Sequence, residues 1–264
     1  MPDQTSPPLL QTKPKTADDA AEVRPFRPLR LKELSPAEVD AALARDARLI
    51  IPVGTCEQHG RHLPMGCDTI IVEALADDLS DDLQILRAPT VEYGVNTVHE
   101  RIIAGNATLR RKTLLRALND LTEAWEAGGI CEFIFLTAHG YEGHQEALST
   151  VITKGARVRV VDVLSINVSD LTTGHQSPLH GDEIDTSLML HLAPHLVRMD
   201  EAVDYMDSGK KRHAQNRATL KVPKGSTGSV GQPTLASAET GEAIYTRIRN
   251  KIRERIFIAP APTE

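Results

Sequence analysis

A three-layer α/β fold, with a mostly parallel sheet and helices on both faces, is predicted by three observations. Short apolar runs alternate with amphipathic segments through most of the 264 residues. The runs at 48–54 and 132–137 read as buried strands, and the run at 157–164 is rich in β-branched residues. The residues densest in chemistry follow the first two of those runs directly, and open α/β sheets build their sites at the carboxyl ends of strands.

Residues 1–29 hold six prolines (Pro2, Pro7, Pro8, Pro14, Pro25, Pro28) among polar and charged residues. That composition buries little, so a flexible tail is expected ahead of one domain over 30–264. Ser35 followed by Pro36 marks a helix start, because Ser can cap orphan N–H groups and Pro is preset for the first helical position. This helix is expected to run to residue 45. Asp68 can cap a second helix over 69–79, with Ile71, Ala74 and Leu75 on one face. A strand is expected over 84–88 and irregular chain over 89–107. Leu114, Leu115, Leu118, Leu121 and Trp125 recur at helical spacing, which predicts a long amphipathic helix over 111–127, stopped by Gly128 and Gly129. Further helices are expected over 145–154, 182–192 and 239–255, with a Gly/Ser/Thr/Pro loop over 223–233.

Composition excludes several functions. A net charge of −6 with no basic block argues against a nucleic-acid partner. Aromatics are only 3%, too few for base-stacking platforms or membrane belts. No apolar run approaches the roughly 20 residues that span a bilayer, so no membrane partner is expected. Cys56, Cys67 and Cys131 match no zinc-knuckle or CxxC spacing, and the N-terminus has no secretory pattern, so reduced thiols in a cytoplasmic protein are expected. No GxGxxG or P-loop run occurs. Histidine stands out: ten residues, against four Phe, four Tyr and one Trp.

Five of the ten histidines fall in three clusters with acids. Glu57, His59 and Asp68 share a Gly- and Pro-shaped loop after the first buried strand. A Glu and a His separated by one residue can point the same way from extended chain. Asp68 either caps the next helix or presents its carboxylate to the same space. Carboxylates with imidazoles suit Zn, Mn, Fe or Co, and a shared carboxylate can bridge two ions. His139 follows the second buried strand as a further ligand, with Glu142 or His144 as additional candidates. The third cluster, His180 with Asp182, Glu183 and Asp185, opens a helix, where acids are favourable for dipole reasons alone.

These residues carry a resemblance. The run Pro52-Val-Gly-Thr-Cys-Glu57-Gln-His59-Gly60, then His62-Leu-Pro and Asp68-Thr69, resembles the signature of the creatininase (creatinine amidohydrolase) family. Tyr93-Gly94-Val-Asn96, His139-Gly140, His180 with Asp185-Thr186-Ser187, and Gly228-Ser-Val-Gly-Gln-Pro-Thr extend the likeness over most of residues 30–257. The resemblance implies a layered α/β fold, often hexameric, with two divalent ions per subunit (Zn, Mn or Fe). It implies Glu57, His59 and His139 as ligands, Asp68 as the bridging ligand, and His180 as a catalytic or substrate-binding residue. Glu142 enters as a fifth ligand and a catalytic candidate, with Glu183 and Asp185 as alternatives to complete the shell. Asn96, His99, Tyr141 and Asp185 are the substrate-binding candidates. Gln176, Ser177, Pro178 and Leu179 stand where the family carries tryptophan beside creatinine, which turns the expectation away from creatinine itself.

The expected activity is hydrolysis of a C–N bond in a small polar amide, cyclic amide or guanidine-like substrate by a metal-activated water, with His180 shuttling a proton. A family hydrolase acting on a formamidopyrimidine or a peptide-derived amide is an alternative, and so is a non-catalytic metal-binding assembly protein. A small-molecule substrate and a homo-oligomer are the expected partners.

Overall fold

The computed structural model describes residues 27–97, 103–174, 179–206, 218 and 225–258. Five strands form one sheet: β1 (Leu29–Arg30), β2 (Arg48–Pro52), β3 (Leu86–Arg87), β4 (Glu132–Thr137) and β5 (Arg157–Asp162). Their order is β1-β3-β2-β4-β5, and every pairing is parallel. Six helices connect or follow them: α1 (Pro36–Leu43), α2 (Cys67–Leu83), α3 (Arg111–Ala127), α4 (Glu142–Ser149), α5 (Glu183–Leu192) and α6 (Ala238–Ile252).

Side chains alternate across a strand, so each central strand feeds two cores. Leu49, Ile51, Phe133 and Phe135 point to one face, where they pack on Ala42 of α1, Leu114 and Leu118 of α3, and Ala147 and Leu148 of α4. Ile50, Ile134 and Leu136 point to the other, against Ile71 and Leu75 of α2, Ile184 and Leu188 of α5, and Ile244 and Ile248 of α6. Each such Leu, Ile or Phe contributes about 1.5–3 kcal/mol of burial. The three expected layers are therefore present.

Most elements stand where the sequence places them, and the departures have local causes. In α1 the Ser35 hydroxyl accepts from Glu38 N–H while the Glu38 carboxylate accepts from Ser35 N–H, a reciprocal cap. Helix α2 begins at Cys67 with Gly66 preceding it, so Asp68 is a helical residue and not the cap. It continues to Leu83, where Gln84 turns the chain at φ 53°. Helix α4 begins three residues earlier than expected and ends at Ser149. The chain beyond is held in a turn, because Asn119 accepts from Ile152 N–H and the Glu126 carboxylate accepts from the N–H groups of Lys154, Gly155 and Ala156. Leu121 of the expected apolar stripe is exposed, while Leu114 and Leu118 carry the contact. The sheet also takes in Leu29, the last residue of the expected tail, opposite Leu86.

The crossovers position the site. After β2 the chain crosses through α2 on one face, and after β4 through α4 on the other. β2 and β4 are neighbours. A crevice therefore opens beyond their carboxyl ends, the place where parallel α/β sheets bind ligands.

Candidate metal centre

Four expected ligands meet in that crevice. Glu57 and His59 come from the loop after β2, Asp68 from the first turn of α2, and His139 from the residues after β4; all are buried. Asp68 spans two imidazoles: Oδ1 lies 3.4 Å from His59 Nε2, and Oδ2 lies 3.1 Å from His139 Nδ1. Glu57 Oε2 lies 3.1 Å from His139 Nδ1 as well. The loop reaches α2 because residue 54 is glycine; a Cβ there would sit 2.1 Å from Thr69 Oγ1.

Neighbouring groups orient three of these four side chains. His59 Nδ1 donates to the Glu57 carbonyl at 3.1 Å, which leaves Nε2 toward Asp68. His139 Nε2 donates to the Val95 carbonyl at 3.1 Å, which leaves Nδ1 toward the two carboxylates. Thr55 Oγ1 donates to Asp68 Oδ2 at 2.7 Å. Such outer partners set the tautomer and basicity of metal ligands. None of these three was legible as a site feature, since two are backbone carbonyls and the third an ordinary threonine.

The donors fit divalent ions. Ligand atoms of Glu57, Asp68 and His139 lie within 4.8 Å of one another, and so do those of Glu57, His59 and His180. Two ligands about 2.1 Å from one tetrahedral ion stand about 3.4 Å apart, close to the separations seen. Glu57 belongs to both sets and Asp68 touches a histidine of each, so shared carboxylates join two adjacent donor sets.

Charge compensation holds the cluster together. Burial raises the Asp68 carboxyl, but His59 and His139 outweigh it and hold the group well below its ordinary value. Burial lowers His59, yet Asp68, then Asp185 and Glu57, push it up to about 10. His139 is likewise raised, against burial, by Glu57 and Asp68.

His180 enters this geometry more closely than the sequence suggests. Its ring centroid is 4.3 Å from that of His59. Nε2 donates to the Gln58 carbonyl at 2.8 Å. The Gln58 amide in turn donates to the Gly228 carbonyl at 3.0 Å. Burial and the neighbouring His59 lower His180 to about 4, so it is neutral near pH 7. Gly181 makes the turn possible: its φ is +58°, and a Cβ would lie 2.4 Å from the His59 carbonyl oxygen.

Other candidates stand apart. Glu142 is exposed at the start of α4 and belongs to neither donor set, because the early start of that helix places it at the rim. Glu183 does not complete a shell either: its carboxylate accepts from Thr173 N–H, Thr173 Oγ1 and Gly174 N–H. Asp182 caps α5, accepting from the N–H groups of Ile184 and Asp185. Asp185 is buried beside the centre, with Oδ2 accepting from Gly181 N–H at 2.7 Å and Oδ1 without a hydrogen-bond partner. Asn96 is buried, and Tyr141 is partly buried with its ring 6.3 Å from that of His139. His99 lies outside the described residues.

His144 is structural. Nδ1 accepts from Val95 N–H at 3.2 Å and Nε2 donates to Thr137 Oγ1 at 3.0 Å. Burial, with His139 adding to it, lowers its pKa from 6.5 to about 3. The unfolded chain takes up this proton near pH 6.5 and the folded chain only near 3, so stability is lost as pH falls through that window. His144→Asn removes the titration. The stability difference between wild type and variant is expected to shrink by about 2 kcal/mol from pH 7 to pH 5 in urea unfolding. A difference that stays constant removes His144 as the source.

A parallel α/β sheet with buried carboxylates and imidazoles at its carboxyl edge is an arrangement that metal-dependent hydrolases use. Residues 32–256 match the creatininase (creatinine amidohydrolase) family, and the chain belongs to that family. It is 29% identical over 233 residues to a mycofactocin precursor peptide peptidase of Mycolicibacterium smegmatis, covering 79% of this chain and 83% of that one. It is 25% identical to a 3-dehydro-scyllo-inosose hydrolase of Thermotoga maritima, covering 81% and 79%. Identity to a creatinine amidohydrolase of Pseudomonas putida is 28%, covering 66% and 75%. Among solved structures, a creatininase superposes with TM-score 0.72 at 22% identity, covering 89% of this chain and 99% of that one. A manganese creatininase superposes with TM-score 0.71 at the same 22% identity, covering 87% and 99%. These superpositions establish the fold. No helix among the described residues is long and apolar enough to cross a membrane.

Proposed function

We propose that this protein hydrolyses a C–N bond of a small polar amide, cyclic amide or guanidine-like substrate with a water activated by two divalent ions. The observation that carries the reading is Asp68 set between His59 and His139, with Glu57 common to both donor sets. Glu57, His59, Asp68 and His139 are the proposed ligands, and Asp68 the bridge. Bound there, the ions supply Lewis acidity to the scissile carbonyl and lower the pKa of water toward about 7. Carboxylates with imidazoles suit Zn, Mn and Fe alike.

The remaining steps belong to side chains. Thr55 and the Glu57 and Val95 carbonyls hold the ligands in their orientations. His180, its Nε2 proton fixed by the Gln58 carbonyl, carries a proton to the leaving nitrogen through its other nitrogen. Asn96 and Tyr141 border the substrate, and Glu142 borders the same space instead of ligating.

A second reading, a peptide-derived amide as substrate, is favoured by the likeness to a precursor peptide peptidase. Both readings share the metal chemistry, and a substrate screen separates them. Chelation followed by reloading with Zn, Mn or Fe is expected to abolish and restore hydrolysis, with full activity at two ions per subunit. Creatinine, formamides, cyclic amides and short peptides form the assay panel. Undiminished turnover after exhaustive chelation defeats the assignment. Tight metal binding with no hydrolysis of any compound points to an assembly protein.

A further inference from the structure

The first turn of α3 breaks a local rule. Arg110 precedes the helix, Arg111 and Lys112 begin it, and no acid stands in its first turn. Cations are disfavoured there, because the helix N-terminus carries partial positive charge and unsatisfied N–H groups. Arg111 is compensated by an ion pair with Glu146 of α4. Arg110 is exposed and forms no ion pair among the described residues.

A cleft of about 350 Å³ is lined by both arginines with Asn96, Tyr141, Glu142 and Glu146. Its inner wall is shared with the metal centre. Val95, which also lines it, accepts from His139, and Asn96 Nδ2 donates to the carbonyl of Cys56, the residue before Glu57. Asn96 is only 2% exposed, yet its buried Oδ1 has no hydrogen-bond partner. A buried amide oxygen of this kind needs a donor, and a ligand N–H supplies one.

We propose that this cleft holds the part of the substrate beyond the bond that is cut, and that this part bears a carboxylate. Asn96 Oδ1 accepts from a substrate amide N–H, while Arg110 and the N–H groups opening α3 hold the carboxylate. Glu142 disfavours the anion on its own side of the cleft and directs it to Arg110. The substrate class is then an acylated amino acid or the C-terminal end of a short peptide, which share this chemistry. The inference rests on the reading of the centre as an amide-hydrolysing one.

The test compares acids with their neutral amides by calorimetry on the full chain, metal-loaded and chelated. N-acetylglycine against N-acetylglycinamide represents the acyl amino acid, and triglycine against its amide represents the peptide; the pair with the larger gap identifies the source. The acid is expected to bind about tenfold more tightly than its amide, with or without metal. Arg110→Ala closes the gap, Arg110→Lys keeps part of it, and Arg116→Ala, removing the same charge further along the helix, leaves it intact. Equal binding of acid and amide, no binding of either acid at millimolar concentration, a gap that survives Arg110→Ala, or a gap that vanishes on chelation each overturns the proposal. Asp68→Asn separates the two ideas: it abolishes turnover if the hydrolytic reading is right, while the preference for the acid persists.

Discussion

Asp68→Asn is expected to strip bound metal and turnover together. Each Asp68 oxygen faces a different histidine, Oδ1 toward His59 and Oδ2 toward His139, so both donor sets lose an anionic oxygen at once. Asparagine keeps the size and can still accept from Thr55, which limits structural damage. What it removes is the negative charge that a divalent ion needs and that offsets two buried imidazoles. Turnover is expected to fall by at least about 10³-fold, since the Lewis-acid contribution is several kcal/mol. Metal content by atomic emission falls in parallel, and the fold is checked by circular dichroism. A related pH effect is expected of the wild type. His59 and His139 are both raised by the carboxylates, so protons compete with metal more strongly as pH falls. Metal retention on dialysis is therefore expected to weaken toward acid pH. A variant that keeps both ions and full activity would falsify the bridging role.

The layered fold was legible because the apolar segments are long and their periods distinct. The 111–127 and 132–137 predictions match α3 and β4 residue for residue. Element ends were less legible where a distant side chain decides them. Glu126 and Asn119 end the region after α4, and neither is near it in sequence. The site divides in the same way. That Glu57, His59, Asp68 and His139 come together could be read from acids and imidazoles placed just after two neighbouring buried strands. Glu142 was less legible, because α4 begins three residues earlier than its periodicity suggests and makes this exposed acid the first helical residue. The carbonyls of Glu57 and Val95 carry no sequence signal, as every residue has one. Arg110 carries little sequence signal for a different reason: arginine at a helix start is a mild oddity until the cleft beside it is known.

His180→Ala separates a proton carrier from a ligand. The His180 ring stacks beside His59, and one of its nitrogens lies within reach of the Glu57 and His59 donor atoms. Either role is geometrically open from that position, but the two make different demands. A ligand must give a lone pair continuously to the ion. A proton carrier must be neutral before the step and basic during it. The Gln58 carbonyl holds the proton on Nε2, so Nδ1 is the basic nitrogen. Burial beside His59 keeps the ring unprotonated at neutral pH. As a carrier, its removal lowers kcat by about 10²–10⁴-fold and leaves metal content at the wild-type level. Added imidazole then restores part of the rate, because the cavity left by the ring admits a free base. Loss of metal equal to that of Asp68→Asn reassigns His180 as a ligand, and an unchanged kcat removes it from the reaction. The hydrogen bond to Gln58 makes a further demand on the carrier role. Gln58 supplies that carbonyl from the backbone while its side chain ties the same loop to Gly228. The Gln58 side-chain amide also lies 3.1 Å from His180 Nε2, so Gln58→Ala is expected to loosen the ring and to lower kcat less than His180→Ala while leaving metal bound.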